Sequence, residues 1–392
     1  MKLRTTPEDF IVTEKSRREP SNGQFALYEL SKESIGTLEA IHQVVRTWNL
    51  APHQISHAGL KDRHASTSQL ITIKHGPRTN CDSKLWNLEY VGQTSSEMTA
   101  ADIEGNVFDI TVRSLAAQQS EQAVSNLHKI AETGYPNYFD DQRFGSVTHT
   151  GRFAAERWCK KDYETALWLA LAEYNSHDDK DERFAKQILR DLWGNWIQAK
   201  AELPKSHRRS VVTYLCDHPT KFRKAFALVN SDLRGLLLSA FQSCVWNTML
   251  KIAIVDDAAG GDQAAESVYL RTIEVQESEL PVPDAKVRTV PAVLSLPSGR
   301  KGMMDDASIR LSDMALADFH MKTTDMKLSF PRDRWFSKGQ RLTMIQPRGL
   351  QVEESEDEIN VGRRKVRLCF ELPRGCYATM LLKTAIPEQS SL

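Results

Sequence analysis

The chain has 392 residues, more than one ordinary hydrophobic core supports, so two domains are expected. Its 41% hydrophobic and 26% charged residues have the balance of a soluble globular protein. Fifty-one Lys and Arg offset fifty-one Asp and Glu, which speaks against a chain coated for nucleic acid while leaving room for a local basic groove.

The opening "MKLRTTPEDFIVTEKSRREP" has no apolar run of signal-peptide type, and patches such as "LRGLLLSAF" fall short of a membrane span. No membrane association is therefore expected. The six cysteines, Cys81, Cys159, Cys216, Cys244, Cys369 and Cys376, form no C-x-x-C pair. That spacing argues against structural zinc and for reduced thiols in the cytoplasm.

In chain order, "EDFIVTEKS" and "GQFALYELSK" alternate or cluster apolar residues over strand length. "TLEAIHQVVRTWNL" places Leu38, Ile41, Val45 and Trp48 at helical spacing, with Thr37 as the expected N-cap. "SQLITIKHG" and "NVFDITVRSL" predict strands, and "SEQAVSNLHKIAETG" a helix closed by Gly134. Strands interrupted by helices point to a mixed α/β or α+β domain. The middle turns helical from about Arg152 to Leu192, with Trp158, Trp168 and Trp193 as core candidates and "NSHDDKDER" as a solvated loop. "SDLRGLLLSAFQSCVWNTMLKIAIV" is the longest predicted helix, and "DDAAGGDQAAES" breaks regular structure after it. Near the end, the acids of Glu353–Glu358 followed by Arg363, Arg364, Lys365 and Arg367 read as a hairpin with a charged tip. "RLCFEL" and "YATMLL" then read as strands. The expected architecture is one sheet completed by the end of the chain, with a helical domain inserted between its halves.

Two stretches carry candidate chemistry. In "HAGLKDRHASTSQLITI", Lys61, Asp62, Arg63 and His64 precede a strand. Spacing alone leaves Asp62 open between a solvated turn and an active-site loop. His57 and His64 lack a third ligand in register, so a metal is not expected. "TGYPNYFDDQRFG" combines Tyr135, Tyr138, Phe139 and Phe144 with Asn137, Gln142 and Arg143. Aromatic faces stack on bases and amides pair with base edges, whereas the same aromatics also serve to anchor a turn.

Five segments in order, from residue 4 to 383, resemble the TruD family of tRNA pseudouridine synthases: "RTTPEDFIVTE", "GLKDRHASTSQ", "PNYFDDQRFG", "LSAFQSCVWN" and "ELPRGCYATMLLK". Asp140 stands where the family has glycine, and Trp246 where it has phenylalanine. A glycine needed there for positive φ would find aspartate among its better substitutes.

The resemblance implies an α+β fold: a mixed or antiparallel pseudouridine-synthase sheet with helices, an inserted mainly helical TRUD-type domain, and a cleft between them. The implied division is 1–161 and 337–392 for the catalytic core and 162–336 for the insertion. It implies isomerisation of uridine, customarily uridine-13 of tRNA, to pseudouridine without metal, redox or organic cofactor. Asp62 becomes the catalytic carboxylate, assisting glycosidic cleavage as a nucleophile on C1′ or a base at C2′. Arg4 is its implied partner, keeping it ionised, with Lys61 as the fallback. Phe139 and Asn137 would stack on and hold the extruded uracil, Phe10 and Tyr377 would wall the pocket, and Gln69, Gln142 and Arg143 would order loops or touch phosphate. The expected partner is tRNA and the expected state monomeric. The "GRRKVR" segment and the Lys- and Arg-rich stretch from Arg183 to Phe226 would form a basic wall. Asp140 alone favours a non-catalytic tRNA-binding or RNA-chaperone relative; a carboxylate-dependent hydrolase lacks a second carboxylate in a matching motif.

Overall fold

The computed structural model describes residues 1–259, 270–276, 278–331 and 333–386. They form two compact units, Met1–Tyr135 with Ile345–Leu392, and Pro136–Met344.

The first unit is built on strands β1 (Phe10–Ser16), β2 (Phe25–Glu33), β3 (Ile55–His57), β4 (Ser66–Lys74), β5 (Cys81–Asp82), β6 (Trp86–Thr94) and β7 (Ile103–Leu115). Helices α1 (Thr37–Thr47) and α2 (Ala117–Thr133) accompany them. The chain passes between units at the two-residue strands β8 (Tyr135–Pro136) and β13 (Met344–Ile345). The second unit carries α3 (Ala154–Cys159), α4 (Tyr163–Leu171), α5 (Lys180–Asp191), α6 (Trp196–Glu202), α7 (His207–Asp217), α8 (Phe222–Ala227) and α9 (Ser231–Ala259). It continues with β9 (Leu270–Val275), β10 (Ser278–Pro283), β11 (Val293–Ser295), α10 (Asp306–Leu316) and β12 (Gln340–Leu342). Back in the first unit follow β14 (Arg348–Glu356), β15 (Arg364–Pro373) and α11 (Ala378–Ala385).

Nine strands make one sheet in the order β14-β15-β7-β1-β4-β2-β6-β5, with β3 also on β4. β1 and β4 run parallel and the other pairs antiparallel, so the sheet is mixed. The expected hairpin closes one side: β15 pairs with β7 across a long separation in sequence, from Arg364 on Leu115 to Pro373 on Gly105. Gly105 permits this, because a Cβ there would lie 2.3 Å from the Leu372 carbonyl oxygen. Amphipathic α1 covers the sheet with Ala40, Ile41 and Val44 against Tyr28, Leu30, Ile71, Ile73 and Leu88. Burial of each such aliphatic side chain contributes on the order of 2 kcal/mol.

Several expectations change. Gly36, not Thr37, occupies the N-cap of α1, and Leu38 points outward. "YATMLL" is helix α11: a short, unbroken apolar run has no periodicity to separate strand from helix, and Ala, Met, Leu and Lys favour the helix. "NSHDDKDER" is only partly loop, since Asp179 caps α5 and Asp181 and Glu182 sit in its first turn, where carboxylates suit the helix dipole. α9 is long and apolar enough to cross a membrane, contrary to expectation, yet 67% of its most apolar window is buried inside the fold. The break expected at "DDAAGGDQAAES" lies largely outside the described residues. The chain passes from one compact unit to the other between 135 and 136 and returns between 344 and 345. Residues 137–161 are tied to the second unit by hydrogen bonds from Asn137 N to Thr343 O, Phe139 N to Asn247 Oδ1 and Trp158 Nε1 to Phe330 O.

Candidate active site

The first unit assembles one constellation around the 59–65 loop. Pro7 opens a 3-10 turn, Pro7–Asp9, in which Asp9 accepts from Thr6 N at 3.0 Å. The other Asp9 oxygen takes the Arg113 guanidinium at 2.8 Å, and Arg113 also bonds Asp357 and Glu358. Backbone bonds between Lys2 and Arg113 fix the leading segment to β7. "PEDF" is thus a clamp. It holds Arg4 in a left-handed conformation, φ 58°, with its guanidinium 4.3 Å from the ring centre of buried Phe10.

Arg4 Nη2 reaches Asp62 Oδ2 at 2.7 Å, each side chain about one-third exposed (31% and 33%). The loop under Asp62 is held by its main chain. Gln69 Nε2 donates to Gly59 O, Thr37 Oγ1 accepts from Lys61 N, and buried Lys32 donates through Nζ to Asp62 O at 2.7 Å and Ile35 O at 2.9 Å. Burial pulls the Lys32 ammonium down to about 8, against a smaller opposing pull from the Asp62 charge. Lys61 is not the partner of Asp62. Its buried Nζ lies 3.0 Å from Glu14 and 2.6 Å from Asn106 Oδ1, side chains paired across β1 and β7. Gln69 is 1% exposed, its Nε2 bonded to the main chain of this loop. Arg63 pairs with Glu39 on the surface. Tyr377 precedes α11, and its carbonyl accepts from Tyr135 Oη.

The other expected residues lie in the second unit. Asn247 grips the Phe139 backbone from both sides, Oδ1 accepting from its N–H and Nδ2 donating to its carbonyl. Gln242, on the same helix, donates to Pro297 O and Ser337 O. Gln242 and Asn247 of "LSAFQSCVWN" therefore fasten loops. Phe139 packs edge-on to Trp246, with Arg341 4.0 Å and Arg143 5.4 Å from its ring centre. Asn137 is 3% exposed; its Oδ1 accepts from Arg341 Nη2 at 2.7 Å and its Nδ2 donates to Leu342 O. Asn137 thus spends both ends of its amide inside its own unit. Gln142 is exposed, and Arg143 Nε donates to Ser243 Oγ. Asp140 has φ −91°, so this position does not require glycine; its carboxylate caps the 3-10 turn Asp141–Phe144.

Sequence reasoning missed Arg341 and Lys32. A lone arginine on a three-residue strand carries no local signal. Lys32 does, since the alternation of β2 puts it on the buried side with Leu30. Among the described residues, no three His, Cys, Asp or Glu side chains are grouped to hold a metal.

Known proteins match nearly the whole chain. The model of the family "tRNA pseudouridine synthase D (TruD)" matches residues 1–385. "Probable tRNA pseudouridine synthase D 1" of Methanococcus maripaludis is 30% identical over 98% of both chains. The "tRNA pseudouridine synthase D" of Leptospira interrogans is 29% identical over 97% of this chain and 95% of its own. A crystal structure of the TruD protein of Methanosarcina mazei superposes with a TM-score of 0.72 at 25% identity, covering 98% of this chain and 93% of that one. A full-length family match and a 30% identical relative of equal length leave one conclusion: the chain belongs to the TruD family of tRNA pseudouridine synthases.

Proposed function

We propose that the protein converts a uridine of tRNA, uridine-13, to pseudouridine, and that Asp62 performs the chemistry. The observation that carries this reading is the Asp62–Arg4 pair: a partly exposed carboxylate on a loop clamped from below, oriented by a guanidinium at 2.7 Å. In the reaction the C1′–N1 bond breaks, the freed uracil turns, and C5 bonds to C1′. The C5 proton is lost and N1 gains one, so reactant and product have the same composition. A carboxylate serves either by bonding to C1′ as the oxocarbenium character develops or by taking the C2′ proton to give a glycal.

Arg4 balances and aims the carboxylate. Phe139 stacks on the uracil, Tyr377 adds an aromatic wall, and Arg143 meets phosphate. Asn137 acts through Arg341, and Phe10 acts by seating Arg4. In this reading the sheet-bearing unit is the catalytic core, Pro136–Met344 contains the TRUD-type insertion, and the protein works in the cytoplasm as a monomer. Asp140, the residue that favoured a non-catalytic relative, has a structural use as a cap.

The test is Asp62→Asn, incubated with unmodified tRNA. Pseudouridine formation is expected to vanish while tRNA affinity stays within a few-fold of wild type. Wild-type modification by this variant would remove Asp62 from the mechanism.

A further inference from the structure

Part of the positive charge expected to form a basic wall is neutralised. Arg364 pairs with Glu354, Lys365 with Glu358 and Arg367 with Asp109. In the second unit, Lys186 pairs with Asp178, Arg190 with Glu173 and Arg208 with Glu182. Other cations of that stretch, Lys221, Arg223 and Lys224 among them, have no ion pair among the described residues, and a further basic surface lies around Trp335.

Trp335 is 50% exposed, with the Arg300 guanidinium 5.1 Å from its ring centre. Close backbone packing holds this neighbourhood together. Leu296 N donates to Gly339 O, Gln242 bridges Pro297 and Ser337, and Gly299 approaches Lys327 so tightly that a Cβ would lie 2.5 Å from its nitrogen. Lys301 follows Arg300, Lys338 lies three residues after Trp335, and the Lys327 backbone packs on Gly299; all three lysines are exposed, and among the described residues none has a carboxylate within ion-pair distance. Asp333, two residues before Trp335, pairs with Arg234, and Asp232 pairs with Arg334. A second stack of the same kind, Arg223 4.4 Å from the ring centre of Phe330, lies five residues before Trp335.

We propose that Trp335 and Arg300, with Lys301, Lys327 and Lys338, form a docking surface on which an unpaired nucleotide of the tRNA substrate stacks. This rests on tRNA being the substrate. An exposed indole offers a face that any base can cover, a guanidinium on the ring adds cation–π attraction, and free ammonium groups meet the flanking phosphates. A paired base would present only its edge, so the surface favours single-stranded nucleotides. An acidic protein partner would satisfy the lysines while leaving the stacked Trp335–Arg300 face without a use.

The experiment measures equilibrium binding of unmodified tRNA at about 50 and about 200 mM salt. Wild type is compared with Trp335→Ala, Trp335→Phe and the double variant Lys301→Gln/Lys338→Gln, with pseudouridine formation by the wild type recorded alongside. Trp335→Ala should weaken binding about 5- to 100-fold and Trp335→Phe much less. The lysine double variant should flatten the salt dependence by about 0.7–0.9 per charge removed. Variants with wild-type affinity and slope, beside a wild type that forms pseudouridine, would overturn the docking surface and leave the proposed activity standing. Equal losses in Trp335→Ala and Trp335→Phe would overturn stacking. A wild type that neither binds tRNA nor forms pseudouridine would overturn the underlying reading, and this surface with it.

Discussion

Lys61 and Asp62 are neighbours in sequence with different destinations. Lys61 descends to Glu14 and Asn106 in the sheet, while Asp62 turns to Arg4. The lysine fastens the loop and the carboxylate stays partly open to water. Arg4→Ala should leave tRNA affinity nearly intact and slow single-turnover pseudouridine formation about 10- to 100-fold, with Arg4→Lys recovering part of the loss. Equal rates for Arg4→Ala and wild type would remove the ion pair from the mechanism. Lys32 supports a second prediction. Its amine falls from an ordinary 10.5 to about 8 in the fold, mainly through burial. Between these values the unfolded chain binds the proton more tightly, so this group's contribution to stability is lost as pH falls through about 8 and complete above 10.5. The urea midpoint of wild type should climb relative to Lys32→Met across that window; parallel profiles would contradict the burial argument.

Among the elements, α2 shows how a single terminus is specified. Gly134 follows it at φ 78°, ψ −175°, a conformation side chains rarely adopt, and a Cβ there would come within 2.9 Å of the Ile345 carbonyl oxygen. Gly134→Ala should therefore cost about 1–3 kcal/mol in chemical denaturation. A loss under about 0.5 kcal/mol would show that the backbone relaxes freely. This helix end was legible because glycine is the residue the geometry demands. The strands β1, β2, β4 and β7 were equally legible from alternation and clustering. α11 was not, because its apolar run is short and unbroken, and both readings bury the same side chains. The start of α5 was hidden by charge: Asp179, Asp181 and Glu182 resemble a solvated loop unless their capping and dipole roles are considered.

At the scale of the molecule, formal charge sums to zero while its distribution is uneven. Several cations of the C-terminal hairpin and of the helices α5 and α7 are consumed by carboxylates, and only geometry separates these from cations such as Lys301, Lys327 and Lys338, which have no ion pair among the described residues. The same holds for the candidate site. Arg4 and Asp62 are 58 residues apart, and Arg341 is 204 from Asn137, separations that no local pattern spans. The order of five motifs pointed to Arg4 and Asp62, since both lie within motifs; Arg341 lies in none. That Lys61 would choose Glu14 over Asp62 depended on the register of β1 against β7, which loop sequence does not encode.

The most direct measurement of the central claim is position-by-position pseudouridine mapping of RNA from cells with the wild-type protein, without it, and with Asp62→Asn in its place. Loss of pseudouridine at uridine-13 of tRNA, both without the protein and with the variant, is the predicted result. A map that keeps this pseudouridine in either case would contradict the account.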